Sequence, residues 1–235
     1  MIKSRTMLAG SLLAIAGAAS AEIAITPTIT TDYDFRGISQ TDGREAIQLG
    51  LTYTGEGGMY LGIWGSNVDF EVKRGEAHAK TEVDVFAGYA GGDAKEGVGY
   101  DVGMIYYTYP NQGTANYPEV YVGMTKGVLS AKLWYSWDFN NHGDTAYYAD
   151  VNLNLPSGEH LAVVTHAGYS GGEYWKANKP GRLGQYFDWS FGFATEIKGA
   201  TLTLKWADGS DLGVRHPRNL GRVILSMSTT LSTGD

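Results

Sequence analysis

Charged side chains recur at every second position in some segments of this chain, and that spacing limits the chemistry they can perform. Asp32, Asp34 and Arg36 form one such row, and Glu82 and Asp84 form another. Side chains two residues apart in a β-strand share one face of the strand. Acids and bases in rows on one face can line an aqueous passage and select the ions that enter it. These rows are therefore candidate pore-lining groups.

The sequence contains no arrangement that predicts catalysis or metal binding. Its five His residues are scattered, and none is followed by a Ser two positions further on, so no activated nucleophile is predicted. Cys is absent, and the acids and His residues lack the spacing of zinc or calcium ligands. No Gly-rich phosphate-binding motif lies between a strand and a helix. We predict that the protein is not an enzyme and has no metal or cofactor.

Alternation of apolar and polar residues predicts the elements that carry the charged rows. Ile47, Leu49, Leu51 and Tyr53 alternate with small or polar residues, a pattern that places them on one face of a strand. We predict an all-β fold, an antiparallel up-and-down transmembrane β-barrel of about 12 strands. The predicted strands are residues 23–35, 45–54, 59–68, 80–90, 97–109, 117–125, 128–138, 145–155, 160–169, 186–196, 200–206 and 218–231.

The lengths of the predicted connections also favour a barrel. Connections after even-numbered predicted strands are short, and most of those after odd-numbered strands are longer, for example residues 36–44 and 170–185. Outer-membrane barrels have tight periplasmic turns and longer outer loops. Nothing in the physics of a soluble β-sandwich sorts loop lengths in this way. With both termini in the periplasm, the pattern predicts a protein of the bacterial outer membrane.

The amino terminus predicts export. Lys3 and Arg5 precede an apolar stretch over residues 7–18 and then Ala19-Ser20-Ala21, which is the layout of a secretory signal. We assign residues 1–21 to a signal peptide and residues 22–235 to the barrel. Removal of the signal peptide takes away two positive charges and changes the formal net charge from −7 to −9. An acidic exported chain is a poor nucleic-acid binder. The partners predicted for an outer-membrane barrel are instead outer-membrane lipid and small hydrophilic solutes.

The apolar rows are assigned to lipid and the charged rows to the barrel interior. An ionised Arg or Lys facing lipid at the bilayer midplane costs roughly 2–4 kcal/mol. Two interpretations of the interior are open: the charges pair and fill it, or they line a narrow water-filled path. Asp138 lies on the same rows as the predicted pore-lining residues. These are Asp32, Asp34, Arg36, Glu82, Asp84, Asp101, Glu119, Lys132, Asp150, Asp188, Lys205 and Arg222.

A segment close to the amino terminus resembles a known family. The run from Thr31 to Thr41 is similar to the opening signature of the TorF porin family. Further matches are the runs Tyr60–Phe70 and Tyr106–Pro110, and the alternating Tyr117, Glu119 and Tyr121. The resemblance covers most of the mature chain. It implies an outer-membrane β-barrel with a channel role and leaves the solute undefined.

The segment from Arg36 to Arg44 has two interpretations. Gly37 and the Asp42-Gly43 pair permit tight turns, which favours an ordered outer loop. The alternative places Arg36, beside Asp32 and Asp34, at a charged constriction or solute contact. We expect the ordered outer loop.

The sequence as a whole predicts a porin-like channel for passive diffusion of small hydrophilic solutes. Acids outnumber bases on the interior rows, so we expect a preference for cations or neutral solutes. The alternative is a closed structural or adhesive barrel whose filled interior provides stability and whose outer loops bind partners.

Overall fold

The computed structural model describes residues 21–71, 77–176, 184–210, 212 and 221–233. All of the predicted signal peptide except Ala21 lies outside these residues, so it stays a prediction. No helix in this part of the chain is long and apolar enough to cross a membrane. Two short 3-10 turns occupy Gly113–Ala115 and Phe139–Asn141. The strands are β1 Glu22–Thr30, β2 Asp34–Phe35, β3 Ile38–Ser39, β4 Ala46–Thr54, β5 Met59–Glu71, β6 His78–Gly92, β7 Gly99–Thr108, β8 Tyr117–Lys126, β9 Leu129–Ser136, β10 Ala146–Pro156, β11 Leu161–Gly171, β12 Tyr186–Ile197, β13 Ala200–Gly209, β14 Arg222–Thr229 and β15 Leu231–Ser232.

Twelve long strands of the described chain, β1 and β4 to β14, form a closed antiparallel barrel. Each strand pairs with its sequence neighbour, and the barrel closes where β14 pairs with β1, with Ile29 opposite Met227. The short β15 continues this seam, with Ile25 opposite Leu231. The predicted fold class and strand number are confirmed. Closure leaves no unpaired edge, which a sheet in lipid cannot tolerate.

The two ends of the barrel differ in their connections. Five short connections and both termini lie at one end, which we call the turn end; three of these connections are residues 55–58, 127–128 and 198–199. The longer connections lie at the other end, which we call the loop end, and they include residues 31–45 and 109–116. This division agrees with the predicted separation of turns and loops.

The outer surface is apolar along every strand of the barrel. Ile47 is 72% exposed and Val223 is 68% exposed, although such side chains are normally buried in a water-soluble protein. The two faces of β5 are clearly separated, with Met59 and Leu61 outside and Tyr60 inside. An apolar belt around a closed barrel is the surface that acyl chains require.

The first predicted strand is too long. Residues 23–35 were expected to form one strand, but β1 ends at Thr30 and the chain turns into the lumen. There β2 and β3 form a separate two-stranded hairpin, with Asp34 opposite Ser39. Asp32 and Asp34 therefore belong to this lumenal hairpin, residues 32–39, and not to the barrel wall. Their alternating pattern does indicate a strand, but that strand is β2 of the hairpin and not a continuation of β1.

A charge added to the outer belt tests the assignment of the two faces. Phe191 is 49% exposed in the middle of β12, whereas Ser190 beside it faces the lumen and is half-buried. We expect Phe191→Lys to lower the free energy of unfolding in lipid vesicles by about 2–4 kcal/mol. Ser190→Lys is the matched control and should lower it much less. Equal losses in the two variants, measured by denaturant titration, would contradict the assignment.

Candidate functional site

The lumenal hairpin turns at two residues with positive φ. Arg36 has φ 53° and Gly37 has φ 80°, which is the backbone of the two-residue turn that suits a tight hairpin. A Cβ on Gly37 would lie 2.6 Å from the Cβ of Asp188 and 3.0 Å from Leu212 Cδ1. Glycine is thus required by both the backbone and the space. Asn suits the position before such a glycine better than Arg does. Side-chain contacts must therefore explain why Arg36 occupies this position.

Arg36 is held by a buried carboxylate and by aromatic rings. Its Nη1 donates to Glu119 Oε1 at 2.8 Å, and its Nη2 donates to Oε2 at 2.6 Å. The exposed fraction is 8% for the Arg36 side chain and 1% for that of Glu119. The guanidinium carbon also lies 4.6 Å from the centre of the Phe35 ring and 4.5 Å from that of Tyr148. Two-point pairing and ring contacts together fix the tip of the hairpin.

Two bases of the barrel wall hold the root of the hairpin. Arg222 of β14 donates to the carboxylates of Asp32 and Asp34, and to the backbone oxygen of Gly37 at 2.8 Å. Lys205 of β13 donates to Asp34 Oδ2 at 3.0 Å. Burial alone would raise the pKa of Asp34, but the Lys205 ammonium and the Arg222 guanidinium outweigh it and lower that pKa. Asp34 therefore contributes to docking as a carboxylate.

The hairpin is not hydrogen-bonded into the wall as a strand. Strands β2 and β3 pair with each other in a sheet of their own. Side chains provide most of its contacts with the wall, and Tyr186 contributes by donating its hydroxyl to the backbone oxygen of Arg36 at 3.0 Å. The expectation of an ordered outer loop from Arg36 is wrong for residues 36–39, which lie inside the barrel. Long-range ion pairs, which turn residues do not reveal, draw them inward.

The other predicted pore-lining residues also lie on inward-facing positions, and none of them falls on the lipid-facing rows. Lys132 donates to Asp101 at 2.7 Å, so this pair is neutralised within the wall. Asp150 accepts a hydrogen bond from the Trp134 indole at 3.1 Å. Asp188 accepts from the Tyr148 hydroxyl at 3.1 Å. Glu82 and Asp84 are buried on β6, with 2% and 3% of their surface exposed.

His166 adds a polar contact to this wall. Its Nε2 lies 2.8 Å from Asp188 Oδ1, and its Nδ1 lies 2.8 Å from Asn152 Oδ1. Asn152 uses its own amide nitrogen to donate to Asp150 at 2.6 Å, which leaves its oxygen facing the histidine. Both ring nitrogens therefore face acceptors. This arrangement favours a structural histidine, because both ring nitrogens lie within hydrogen-bonding distance of side chains of the wall.

Aromatic side chains fill much of the lumen, and they are absent from the residues that the sequence predicted to line it. Tyr148 lies against the bare Cα of Gly168, where a Cβ would meet its hydroxyl oxygen at 2.0 Å. The inward parity of tyrosines opposite glycines was a signal that could have found them. The buried lumenal aromatics are Tyr60, Phe86, Tyr107, Tyr109, Tyr117, Tyr121, Trp134, Phe139, Tyr148, Trp175 and Tyr186.

Small polar side chains on other inward-facing positions stay half-exposed. These include Thr26, Thr28, Gln48, Ser130, Ser190, Thr201, Ser226 and Ser228. The lumen is therefore lined by polar side chains as well as by buried rings.

An apolar belt, a polar lumen and an inward-folded segment define an outer-membrane β-barrel of the porin type. Within that class, residues 15–217 match the family described as "Bacterial protein of unknown function (Gcw_chp)", and the chain belongs to this family. No curated protein sequence matches the chain. The resemblance to the TorF porin family stays a prediction.

Solved structures share the fold at low sequence identity. The NanC porin is 12% identical, with a TM-score of 0.54 over 88% of this chain and 98% of that chain. The KdgM porin is 9% identical, with a TM-score of 0.52 over 89% of this chain and 97% of that chain. An outer-membrane channel from Pseudomonas putida F1 is 9% identical, with a TM-score of 0.50 over 97% of this chain and its entire length. These similarities establish the fold.

Loss of the Glu119 charge should release the hairpin tip. Because the chain has no Cys, Ile38→Cys provides a single reporter thiol on β3. We expect Glu119→Gln to increase the rate of thiol labelling, since a buried Arg36 without its partner costs about 3–5 kcal/mol. Asp101→Asn is the matched control because it breaks a lumenal ion pair that does not touch the hairpin. Equal labelling rates in the two variants would contradict this anchoring role.

Proposed function

We propose that this protein is a channel for passive diffusion of small hydrophilic solutes across the outer membrane, and that the lumenal hairpin sets its width. The observation that carries the proposal is a lumen lined by polar side chains and entered by a segment that is held mainly by side chains. Because the hairpin is not part of the hydrogen-bonded sheet of the wall, it can shift without breaking the barrel. A solute path and a stable barrel are then compatible.

The charges of the lumen support a preference for cations or neutral solutes. Of the twelve predicted pore-lining residues, eight are acids and four are bases, so negative charge is in excess. Each base is already engaged with a carboxylate, as in the pair of Lys132 with Asp101. Asp150 and Asp188 contact none of these four bases, so an excess of acid remains even without the buried Glu82 and Asp84. An acidic constriction raises the local concentration of cations and repels anions.

A closed barrel is the second candidate, and the packing of the loop end favours it. Arg36 fits against three rings, including that of Trp134 at 5.5 Å. Phe139 and Trp175 add further rings nearby, with their centres 5.6 Å apart. A lumen filled in this way provides stability, and the exposed loops would then bind a partner. The two candidates differ in whether the hairpin moves.

Reconstitution in a planar bilayer under a salt gradient distinguishes the candidates. We expect stepwise conductance and a reversal potential that indicates cation preference. The double variant Arg36→Ala with Glu119→Ala removes both partners of the tip, so it leaves no unpaired charge, and it should conduct more than the wild type. A reversal potential for anions would overturn the selectivity. Absence of conductance in both proteins would overturn the channel in favour of the closed barrel.

Acid should increase the conductance through Asp34, whose charged neighbours are Lys205 and Arg222. The lowered pKa places its folded value below the unfolded value of about 3.9. Its contribution to docking is therefore complete above that value and is lost as pH falls through the folded pKa. We expect constant conductance from about pH 8 to about pH 5 and a rise below about pH 4.

The variant Asp34→Asn isolates the contribution of Asp34 to this acid response. It should conduct more than the wild type already at neutral pH and should respond less to acid. Identical conductance–pH curves for the two proteins would show that Asp34 does not anchor the hairpin.

A further inference from the structure

Two neighbouring buried carboxylates on β6 each keep an oxygen without a hydrogen-bond partner. Glu82 and Asp84 point to the same face of the strand, and their Cα atoms are separated by a rise of about 6.6 Å. Only 2% of Glu82 and 3% of Asp84 is exposed. Glu82 Oε2 and Asp84 Oδ1 accept no hydrogen bond from any atom. Each side chain therefore presents one unoccupied, desolvated oxygen.

No base among the described residues contacts either carboxylate. The lumenal bases are engaged elsewhere, with Arg36 on Glu119 and Lys132 on Asp101. Lys205 and Arg222 contact the acids of the hairpin root. Two buried negative charges without a counter-charge are strongly unfavourable. The pair requires a source of positive charge that the described side chains do not provide.

The surroundings of the pair supply oxygen atoms and aromatic rings. The Tyr109 hydroxyl donates to Glu82 Oε1 at 3.1 Å, and Tyr33 lies nearby. Along the ladder, Ser66 lies opposite Glu82. Carboxylate and hydroxyl oxygens are hard ligands. Such ligands favour calcium over the softer transition metals.

A proton satisfies this geometry less well than a cation does. A hydroxyl formed on Glu82 Oε2 or Asp84 Oδ1 would have no acceptor to receive its hydrogen. A cation instead takes up the free lone pairs directly, and a divalent ion balances both negative charges. We propose that Glu82 and Asp84 form a binding site for a divalent cation of the calcium type, with Glu82 Oε2 and Asp84 Oδ1 as its protein ligands. Further oxygen atoms must complete the coordination, since calcium takes about 6–8 oxygen ligands.

The site would also strengthen the root of the hairpin. Tyr33 lies near Glu82 and directly precedes β2, and its ring packs edge-on against Trp64 with centres 5.4 Å apart. An ion that fixes the Glu82 carboxylate restricts this neighbour as well. The cation therefore acts as an additional tie between the wall and the hairpin. The binding itself does not depend on whether the barrel conducts.

Terbium luminescence tests the site in the purified full-length barrel. Terbium replaces calcium at oxygen sites and emits when a nearby tyrosine transfers its excitation, a role that Tyr33 and Tyr109 fill here. We expect saturable, tyrosine-sensitised emission that excess calcium abolishes. Glu82→Gln with Asp84→Asn should lose this emission, and either single substitution should weaken it. Asp101→Asn is the matched control and should keep it.

Three results would overturn the proposal. One is the absence of sensitised emission in the wild type, and another is emission that calcium does not displace. The third is emission that persists in the double variant. Heat-modifiable gel mobility of each variant verifies that its barrel is folded, and the single variants decide the question if the double variant fails to fold. Because no conductance is measured, failure here is distinguishable from failure of the channel proposal.

Discussion

The bidentate ion pair between Arg36 and Glu119 is the interaction on which the lumen of this barrel depends. This ion pair joins the tip of the lumenal hairpin to β8, the strand on its far side. The hairpin itself has no ladder hydrogen bonds to the wall. A charge taken out of water needs a partner of opposite sign and good geometry. Here the partner also offsets the unfavourable left-handed backbone of Arg36, which costs about 1–2 kcal/mol. Backbone, charge and ring packing thus favour the same position of the hairpin.

The same requirement organises the rest of the interior. Each base of the lumen contacts an acid, and several acids that lack a base accept hydrogen bonds from tyrosine or tryptophan. Asp188, for example, accepts a hydrogen bond from the Tyr148 hydroxyl and faces His166. Glu82 and Asp84 differ because they are two neighbouring buried acids on one strand, each with an oxygen that has no partner and neither in contact with a base among the described residues. That combination points to a ligand.

Periodicity made the wall predictable, because only a strand exposes alternate residues to lipid and to water. Ile47, Leu49 and Leu51 identify β4 without any tertiary information, and equivalent rows predict all the strands of the barrel. The hairpin was not predictable in this way. Asp32, Tyr33, Asp34 and Phe35 alternate like a continuation of β1, and the residues that turn them inward, Glu119 and Arg222, lie far away in sequence. Local pattern identifies an extended segment, but only distant charges decide where it lies.

Closure of the barrel determines when the hairpin acquires its full set of contacts. Arg222, which grips the hairpin root, belongs to β14, the strand that completes the cylinder by pairing with β1. The hairpin follows the first long strand of the barrel, whereas Arg222 begins the last one, so only a closed cylinder brings the two together. Full seating of the hairpin therefore requires that β14 is already in its place in the wall.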